Sequence, residues 1–453
     1  MSNAEFDLIV IGTGPSASTV ATKSREAGKR VAVVEAREFG GACALRGCNP
    51  KKVYSNAANL VDRARGAKGK QVEFPAMRID WQNLLEFKRE FTDPVADKTE
   101  ASYQKRGIET YSGLASFAGP NEIRVGETQL TAKRIFVGVG ASPRKLDIPG
   151  GQHAMLSDAF FELSSLPNRI TFVGGGYISL EFACVAARHG CDVTVIERGD
   201  RVLEPFDPDL VAQLVDYSAP HSMKIITDAK VTEISADEVG QSTTVKYYTS
   251  KGEKTVLADL VVHGAGRVPN LQNMELNVGE VDFGDRGIKV NDFMQSISNP
   301  NVYAAGDCVE CPQPRLTPTA NEQARVVVKN LFAEQPLNRP DYGDIPQVAF
   351  TVPAIAAIGM SQLEAEKGHD VEVRHDDTSS WGSVRKHGQR CAGYKVLVDK
   401  KTDRILGAHL LGPGAEETIN LFALAMKHGL TATDIKSTLF AFPTFGSDIR
   451  RMV

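Results

Sequence analysis

The first 35 residues contain two apolar runs separated by a helical pattern. Residues 6–11 form a mostly apolar run that predicts a buried strand, and a helical stretch follows to about Gly28. Residues 30–34 predict a second strand, which ends in Glu35. The junction between the first strand and the helix carries a G-x-G-x-x-A pattern in the residues Gly12, Gly14, Pro15, Ser16 and Ala17.

Each part of this unit has a physical role in holding a dinucleotide. Gly12 permits a tight turn, Gly14 lets the backbone approach a pyrophosphate, and Ala17 allows the helix to pack closely. The helix N-terminus supplies N–H groups and the positive end of a dipole. The carboxylate of Glu35 is placed to accept hydrogen bonds from a ribose. The combination predicts a dinucleotide site.

The same unit recurs later in the chain. Strands are predicted at 169–173 and 192–196, with a helix between them. Gly174 and Glu197 lie 23 positions apart, the interval that separates the corresponding glycine and acid of the first unit. The sequence therefore predicts two dinucleotide sites. The second turn carries the residues Gly174, Gly175, Gly176, Tyr177 and Ile178.

Other turns and a different C-terminal region follow. Residues 301–307 predict a strand that ends in Gly306 and Asp307, whose carboxylate is suited to a ribityl hydroxyl, and residues 264–270 predict a turn that includes Gly266. From about residue 347 the glycine fingerprints stop, and an α+β module for association is expected. Its predicted strands are 348–351, 394–398 and 405–411, and its predicted helices are 416–428 and 432–439.

The composition excludes several classes of protein. The 453 residues carry a net charge of -4, which argues against a nucleic-acid partner. No apolar run reaches the roughly 18 residues of a membrane span, and a cytoplasmic protein is expected. Seven cysteines do not resemble the disulfide framework of a secreted protein. Two of them, Cys308 and Cys311, form a C-x-x-C pattern that is a secondary candidate for redox chemistry or metal binding.

Cys43 and Cys48 lie directly after the first strand–helix–strand motif, among glycines and basic residues. Positions five apart are more than one helical turn apart, so a disulfide between them requires distorted helical geometry. A helix dipole together with Arg46, Lys51 and Lys52 would favour a thiolate. The pair is therefore a candidate redox centre, and the alternative is two buried structural cysteines.

Residues 40–52 have the pattern Gly-Gly-x-Cys-x-x-x-Gly-Cys-x-Pro-Lys-Lys. This segment resembles the active-site segment of the glutathione reductase and dihydrolipoamide dehydrogenase family of pyridine nucleotide-disulfide oxidoreductases. The resemblance covers nearly the whole chain. Besides the two fingerprints, the matching segments are 140–143, 264–270, 303–307, 316–318, 350–353 and 407–412.

The resemblance implies an α/β fold with two Rossmann-like dinucleotide-binding domains and a C-terminal α+β dimerisation domain, in a homodimer. The implied domains are an FAD domain (1–147), an NAD(P) domain (148–273), a central domain that completes the FAD site (274–342) and an interface domain (343–453). The implied cofactor-binding residues are Gly12, Gly14, Pro15, Ser16, Glu35, Gly41, Ala42, Lys52, Gly140, Ala141, Ser142, Gly174, Gly176, Tyr177, Ile178, Glu197, Arg198, Gly266, Gly306, Asp307, Thr317 and Pro318.

The resemblance also implies five catalytic residues. NAD(P)H would reduce FAD on one ring face, and FAD would reduce the disulfide on the other. Cys43 would be the interchange thiol that attacks the substrate, and Cys48 the charge-transfer thiolate beside the flavin. Lys52 would sit near the flavin and pair with Glu181. Tyr177 would cover the isoalloxazine until nicotinamide displaces it, and its alternative role is ordinary packing.

The C-terminal segment departs from the family pattern. The family carries His-Pro-Thr followed by Glu, and this His, from the partner subunit, protonates the departing thiolate while the Glu orients it. In this chain Phe442 and Ser447 stand at those two positions, whereas Pro443 and Thr444 keep the register. Phenylalanine cannot transfer a proton, and a general acid contributes about 10²–10⁴ in rate. A small disulfide such as glutathione disulfide is therefore expected to be a poor substrate.

The predicted function is an FAD-dependent NAD(P)H oxidoreductase that acts on a sulfur group or another small-molecule electron acceptor. A metal-ion or quinone reductase is one alternative, and a redox-sensing flavoprotein with little turnover is another. Phe442 and Phe445 would form a platform for a flat acceptor or pack the dimer interface. His409 and His428 are expected to be structural.

The loop after the second strand–helix–strand motif bears on the choice between NADH and NADPH. Glu197 favours NADH, because a carboxylate at this position repels a 2′-phosphate. Arg198 is the kind of residue that NADPH-using relatives place here, but the second such position holds Glu204. The balance of charge favours NADH.

Overall fold

The computed structural model describes residues 4–236 and 242–453. The chain divides into two compact units. The first comprises the segments 1–50, 89–144 and 266–342, and the second comprises 51–88, 145–265 and 343–453. The division into four domains stays a prediction.

A mixed sheet forms the core of the first unit. Its parallel strands follow the order Glu109–Ser112, Val31–Glu35, Ala4–Ile11, Thr128–Val137 and Val302–Ala304, and Thr128–Val137 also pairs with an antiparallel hairpin. Within the strand Ala4–Ile11, Phe6 and residues 8–11 are buried, so both faces are covered there, as a central parallel strand requires. The remaining strands are Ala115–Gly119, Glu122–Val125, Ala141–Pro143, Arg267–Pro269, Phe283–Gly284 and Gly287–Ile288.

The helices of the first unit pack on this sheet or lead out of it. They are Pro15–Glu26, Gly41–Leu45, Val95–Lys105 and Thr317–Asn330. Two longer helices, Cys48–Ala67 and Trp81–Thr92, run across the boundary between the units along the chain. None of the helices in residues 4–236 and 242–453 has the length and apolar character that a bilayer crossing requires.

The second unit begins with a parallel sheet of the same kind. Its strands follow the order Met223–Ile226, Asp192–Ile196, Arg169–Val173, Leu260–His263 and Met155–Leu156. The antiparallel strands Lys230–Ala236, Thr243–Thr249 and Gly252–Ala258 form a second sheet. The helices of this part are Ser157–Phe160, Tyr177–His189 and Pro208–Ser218, with 3₁₀ turns at Gly151–His153 and Ala219–His221.

The rest of the second unit is an antiparallel sheet covered by helices. The strand order is Gln347–Ala349, Ile355–Gly359, Ile405–Leu411, Gly393–Asp399 and Val371–Asp377. The helices are Gln362–Gly368, Gly382–Arg385, Ala415–Lys427, Ala432–Ser437 and Phe445–Met452.

Two elements predicted in this region end two residues earlier in the structure. The strand expected through 351 ends at Ala349, because the N–H of Phe350 donates to the carboxylate of Glu181 and not to a neighbouring strand. The helix expected through 439 ends at Ser437, because Thr438 has an extended backbone.

Candidate active site

The first fingerprint forms an open cradle for a pyrophosphate. Gly12 has a φ of 100°, and a β-carbon there would lie 2.5 Å from the carbonyl oxygen of Gly138. Gly14 is the N-cap of the helix Pro15–Glu26, and no side chain caps its N–H groups. A β-carbon on Gly41 would lie 2.5 Å from the Cα of Gly14, so the start of the next helix packs directly on the cradle. Side chains are therefore excluded where a pyrophosphate would approach.

Glu35 is held at the end of its strand. The hydroxyl of Thr13 donates to one carboxylate oxygen at 2.5 Å, and the N–H of Arg37 donates to the other at 3.0 Å. Thr13 in turn accepts from the N–H of Gly40 at 2.9 Å. This chain of bonds fixes the acid beside the fingerprint, where the ribose of a bound dinucleotide would lie.

The later segments of the first unit converge on the same cradle. Gly306 has a φ of 83°, and a β-carbon there would lie 3.3 Å from the hydroxyl of Ser16. Burial raises the pKa of the neighbouring Asp307, and the charges of Arg267 and Arg315 oppose this shift. The glycine turns leave room for a pyrophosphate, and the carboxylate of Asp307 is suited to a ribityl hydroxyl. These residues therefore fit FAD.

The structure brings most of the predicted FAD residues into one unit. The strand Ala141–Pro143 pairs with Arg267–Pro269, which places Gly266 in the first unit as well. Lys52 lies in the second unit. The predicted residues in the first unit are Gly12, Gly14, Pro15, Ser16, Glu35, Gly41, Ala42, Gly140, Ala141, Ser142, Gly266, Gly306, Asp307, Thr317 and Pro318.

The second fingerprint has the same construction. Gly174 has a φ of 99°, and Gly176 is the N-cap of the helix Tyr177–His189 without a side-chain cap. The carboxylate of Glu197 accepts from the N–H of Gly175 at 2.5 Å and from the N–H of Gly199 at 2.7 Å. The cradle and the fixed acid fit a nicotinamide nucleotide.

The two cysteines lie on separate helices. Cys43 belongs to the short helix Gly41–Leu45, and Cys48 begins the helix Cys48–Ala67. The break falls at Arg46 and Gly47, where a β-carbon on Gly47 would lie 2.9 Å from the carbonyl oxygen of Ala42. The distorted geometry expected for a bridge is therefore supplied by a helix break.

The thiols of the pair share one polar neighbour. No disulfide joins Cys43 to Cys48, and the hydroxyl of Thr317 lies 3.6 Å from the sulfur of Cys43 and 3.9 Å from that of Cys48. A hydrogen bond with Cys48, followed by burial, holds the pKa of the Cys43 thiol far above its ordinary value. The contact with Cys48 and burial therefore both favour the protonated thiol at Cys43.

The basic residues that neighbour the pair in sequence are bound to carboxylates. Arg46 donates to Glu38 at 2.5 Å. In the second unit, the ammonium groups of Lys51 and Lys52 lie 3.1 and 3.0 Å from the same oxygen of Glu181, a fully buried side chain. The predicted pair of Lys52 and Glu181 is therefore present, and Lys51 joins it.

Two aromatic rings pack against these lysines. The ammonium of Lys52 lies 3.6 Å from the ring centroid of Phe350, and that of Lys51 lies 4.4 Å from the ring centroid of Tyr177. The Tyr177 side chain is 41% exposed. A cation–ring contact of this kind contributes only about 0.5–1 kcal/mol at exposed sites.

The C-terminal segment has no group that could transfer a proton at either predicted position. Phe442 is 86% exposed. Ser447 is the N3 residue of the last helix, and its hydroxyl donates to the carbonyl oxygen of the N-cap Thr444 at 2.7 Å. Ser447 therefore caps a helix and orients no base.

One histidine lies beside this segment. The ring of His387 packs on that of Phe445, with centroids 5.0 Å apart, and the ammonium of Lys386 lies 3.4 Å from the carbonyl oxygen of Pro443. Burial, followed by the charges of Arg63 and Lys386, lowers the pKa of His387. His387 is therefore neutral at pH 7.

The secondary candidates have structural environments. Cys308 is fully buried and donates to the carbonyl oxygens of Val137 and Ala305, whereas Cys311 contacts the hydroxyl of Tyr342. His409 is buried with its Nε2 at 3.1 Å from the carbonyl oxygen of Met360. His428 is the exposed C-cap of the helix Ala415–Lys427.

Sequence reasoning missed Lys51 and Phe350 as partners of Glu181. The adjacent lysines were a usable signal, because consecutive helical residues can reach one group from two sides. Phe350 acts through its backbone N–H as well as its ring, and no sequence pattern marks such a contact.

Similarity to known proteins extends over the whole chain. The family model "Pyridine nucleotide-disulphide oxidoreductase" matches residues 6–324, and the dimerisation-domain model of that family matches residues 345–453. A glutathione reductase from Nostoc sp. is 29% identical over 99% of both chains, and a mercuric reductase from Staphylococcus aureus is 28% identical over 99% of this chain and 82% of its own length.

A solved structure has the same fold. The HOCl-induced flavoprotein disulfide reductase RclA from Escherichia coli, in its Cu(II) complex, superposes with a TM-score of 0.89 over 100% of this chain and 99% of its own, at 24% sequence identity. The predicted α/β fold with two Rossmann-like domains and a dimerisation domain is confirmed.

Proposed function

The chain belongs to the pyridine nucleotide-disulphide oxidoreductase family, and on this basis we propose that it passes electrons from NADH to an acceptor that needs no proton from the enzyme. As a member of this family it is a flavoprotein oxidoreductase that uses FAD with NAD(P)H, and its dimerisation domain indicates a homodimer. The acceptor and the preference for NADH are the proposed parts.

The observation that carries the proposal is that positions 442 and 447 of the C-terminal segment hold no group suited to protonate a leaving thiolate. Phe442 has no titratable proton, and the hydroxyl of Ser447 is bound within a helix cap. A thiol of ordinary pKa leaves a mixed disulfide far more readily when an acid protonates it. An acceptor that forms no thiolate leaving group, or a very stable one, avoids this barrier.

The cysteine pair supports the same conclusion. FAD, when bound, supplies the two-electron chemistry that links NAD(P)H to the pair. Reduction breaks the sulfur–sulfur bond and, with two electrons and two protons, yields the two thiols Cys43 and Cys48. Burial and the contact with Cys48 favour the protonated thiol of Cys43, whereas the thiolate is the form that attacks a disulfide.

A metal ion is the second candidate acceptor. The sulfur atoms of Cys43 and Cys48 lie against one hydroxyl, that of Thr317, and thiolates are the ligands that soft ions select. The mercuric reductase relatives and the Cu(II) complex of RclA motivate the choice of ions to test. With Cu(II), the two electrons from one NADH would reduce two ions to Cu(I).

The test is an acceptor screen on the holoenzyme, in which the rate of NADH oxidation is measured with each acceptor. The acceptors are glutathione disulfide, an aryl disulfide with an acidic leaving thiol, a quinone and Cu(II). We expect glutathione disulfide to be slower than the best acceptor by about 10²-fold or more. Turnover of glutathione disulfide equal to that of the best acceptor would contradict the proposal.

Cysteine variants then assign the route. Cys43→Ser and Cys48→Ser should abolish reduction of the aryl disulfide and of Cu(II), but should spare a quinone that takes electrons at the flavin. Cys191→Ala, at a cysteine outside the pair, is the control. Loss of quinone reduction in both serine variants would mean that electrons pass through the cysteine pair to every acceptor, including the quinone.

A further inference from the structure

The turn at Gly306 is held by a side chain from the helix Thr317–Asn330. The N–H of Gly306 donates to the Oε1 of Gln323 at 2.7 Å, and Gln323 is 1% exposed. An N–H can only donate, so the amide atom that faces it must be the oxygen. The orientation of Gln323 is therefore fixed by the backbone of the turn.

The other end of the same amide is also bound. The Nε2 of Gln323 donates to the hydroxyl of Tyr342 at 2.9 Å, and the sulfur of Cys311 lies 3.7 Å from that hydroxyl. Burial raises the pKa of Tyr342, so its hydroxyl is protonated throughout the physiological range. Gly306, Gln323 and Tyr342 thus form one continuous hydrogen-bonded tie inside the first unit.

This tie borders the site that fits FAD. Asp307, Gln323 and Cys311 line one recess. The other face of the turn meets the first fingerprint helix, where a β-carbon on Gly306 would lie 3.3 Å from the hydroxyl of Ser16. A small shift of the turn would therefore move Asp307 and change the space beside Ser16 together.

We propose that Gln323 and Tyr342 are positioning residues that hold the Gly306–Asp307 turn in its FAD-binding conformation. Neither residue needs to touch the cofactor, because they act through the backbone of the turn. The proposal concerns retention of FAD and is independent of the acceptor.

A neighbouring residue provides a matched control. Glu322 lies on the same helix and fastens the same loop, since its carboxylate accepts from the N–H of Asp341 at 2.9 Å and pairs with Arg325. Its bonds do not lead to Gly306. If the tie merely anchors the loop, loss of Glu322 should matter as much as loss of Tyr342.

The experiment measures FAD affinity by flavin fluorescence during reconstitution of apoprotein, and the temperature at which the holoenzyme releases FAD. We expect Gln323→Leu to weaken FAD binding about tenfold or more, because it leaves a buried N–H unpaired. Tyr342→Phe should weaken it about threefold. Gln323→Glu keeps an acceptor for the N–H of Gly306 but buries a carboxylate without a cation, so it should bind FAD more tightly than Gln323→Leu and more weakly than the unmodified protein.

Glu322→Ala should bind FAD as the unmodified protein does. The proposal is overturned if Tyr342→Phe retains full affinity, or if Glu322→Ala weakens FAD binding as much as Gln323→Leu. Far-UV circular dichroism and thermal unfolding of each apoprotein show whether a variant has folded. If Gln323→Leu does not fold, the comparison of Tyr342→Phe with Glu322→Ala decides the question.

Discussion

The hydroxyl of Ser447 is bound to the backbone of Thr444 on both sides. It donates to the carbonyl oxygen of Thr444 at 2.7 Å and accepts from its N–H at 3.1 Å. A helix cap tolerates serine or glutamate at this position. The last helix can therefore form without the acid that the family uses to orient its proton donor.

Restoring both missing groups should restore disulfide chemistry. We expect the double variant Phe442→His with Ser447→Glu to raise turnover of glutathione disulfide about 10²-fold, because a general acid contributes about 10²–10⁴. Glutamate at position 447 preserves the capping box with Thr444. Steady-state oxidation of NADH measures the change.

Two controls accompany this prediction. Phe442→Ala removes the ring without adding an acid and should not raise disulfide turnover. His387→Ala should leave the pH profile of acceptor reduction unchanged, because a neutral His387 packed on Phe445 has no proton to give at pH 7. Disappearance of a titration step in His387→Ala would identify His387 as the substitute acid.

The two lysines on Glu181 should compensate for each other. Each ammonium reaches the same carboxylate oxygen, so one lysine still covers the charge when the other is lost. We expect Lys51→Met and Lys52→Met each to lower the free energy of unfolding by ~1 kcal/mol and the double variant by ~3–5 kcal/mol, since it leaves a buried carboxylate without a cation. Chemical unfolding measures these values, and simple additivity would contradict the shared-anion arrangement.

Glu197 should make the enzyme prefer NADH. Its carboxylate is fixed at the strand end by the N–H groups of Gly175 and Gly199, while the guanidinium of Arg201 is bound to the backbone of Glu204 and Phe206. We expect kcat/KM for NADH to exceed that for NADPH about tenfold, equivalent to ~1.4 kcal/mol.

Substitution separates this effect from the general charge of the loop. Glu197→Ala should reduce the ratio of the two kcat/KM values, whereas Glu204→Gln, at an exposed acid on the same loop, should leave it unchanged. A preference for NADPH in the unmodified enzyme would show that Arg198 dominates.

Asp307 should lower the stability of the apoprotein and at the same time strengthen the binding of FAD. Burial raises its pKa in the folded chain, so the ionised form destabilises the fold above that pKa, and the penalty disappears as the pH falls to the unfolded value. We expect Asp307→Asn to raise the unfolding temperature of the apoprotein at pH 7, with a smaller gain at pH 4. The same variant should bind FAD more weakly, and an unchanged unfolding temperature at pH 7 would contradict the argument.

The sequence predicted those parts of the site that depend on local patterns. Gly12 and Gly174 marked both cradles, because a strand, a tight turn and a helix leave a short and regular signature. Phe442 was identified because its neighbours kept the family register. These features need no knowledge of distant contacts.

The remaining features depend on contacts between distant positions. Glu181 is 129 positions from Lys52, and its third partner is a backbone N–H. The bond between Gln323 and Tyr342 joins a helix to the end of a loop, and neither residue belongs to a recognisable motif. The end of the helix Gly41–Leu45 was hidden as well, since its cause is a close approach of backbone atoms.

That close approach limits how the segment can vary. At position 47 any β-carbon would meet the backbone oxygen of Ala42 at 2.9 Å and the Cα of Cys43 at 3.3 Å, and backbone atoms cannot rotate away. Selection for a new acceptor can therefore explore many positions of this protein, but a library randomised across residues 44–47 should return glycine at 47 every time. Gly47 thus constrains the active-site segment through its backbone alone, although it contributes no functional group.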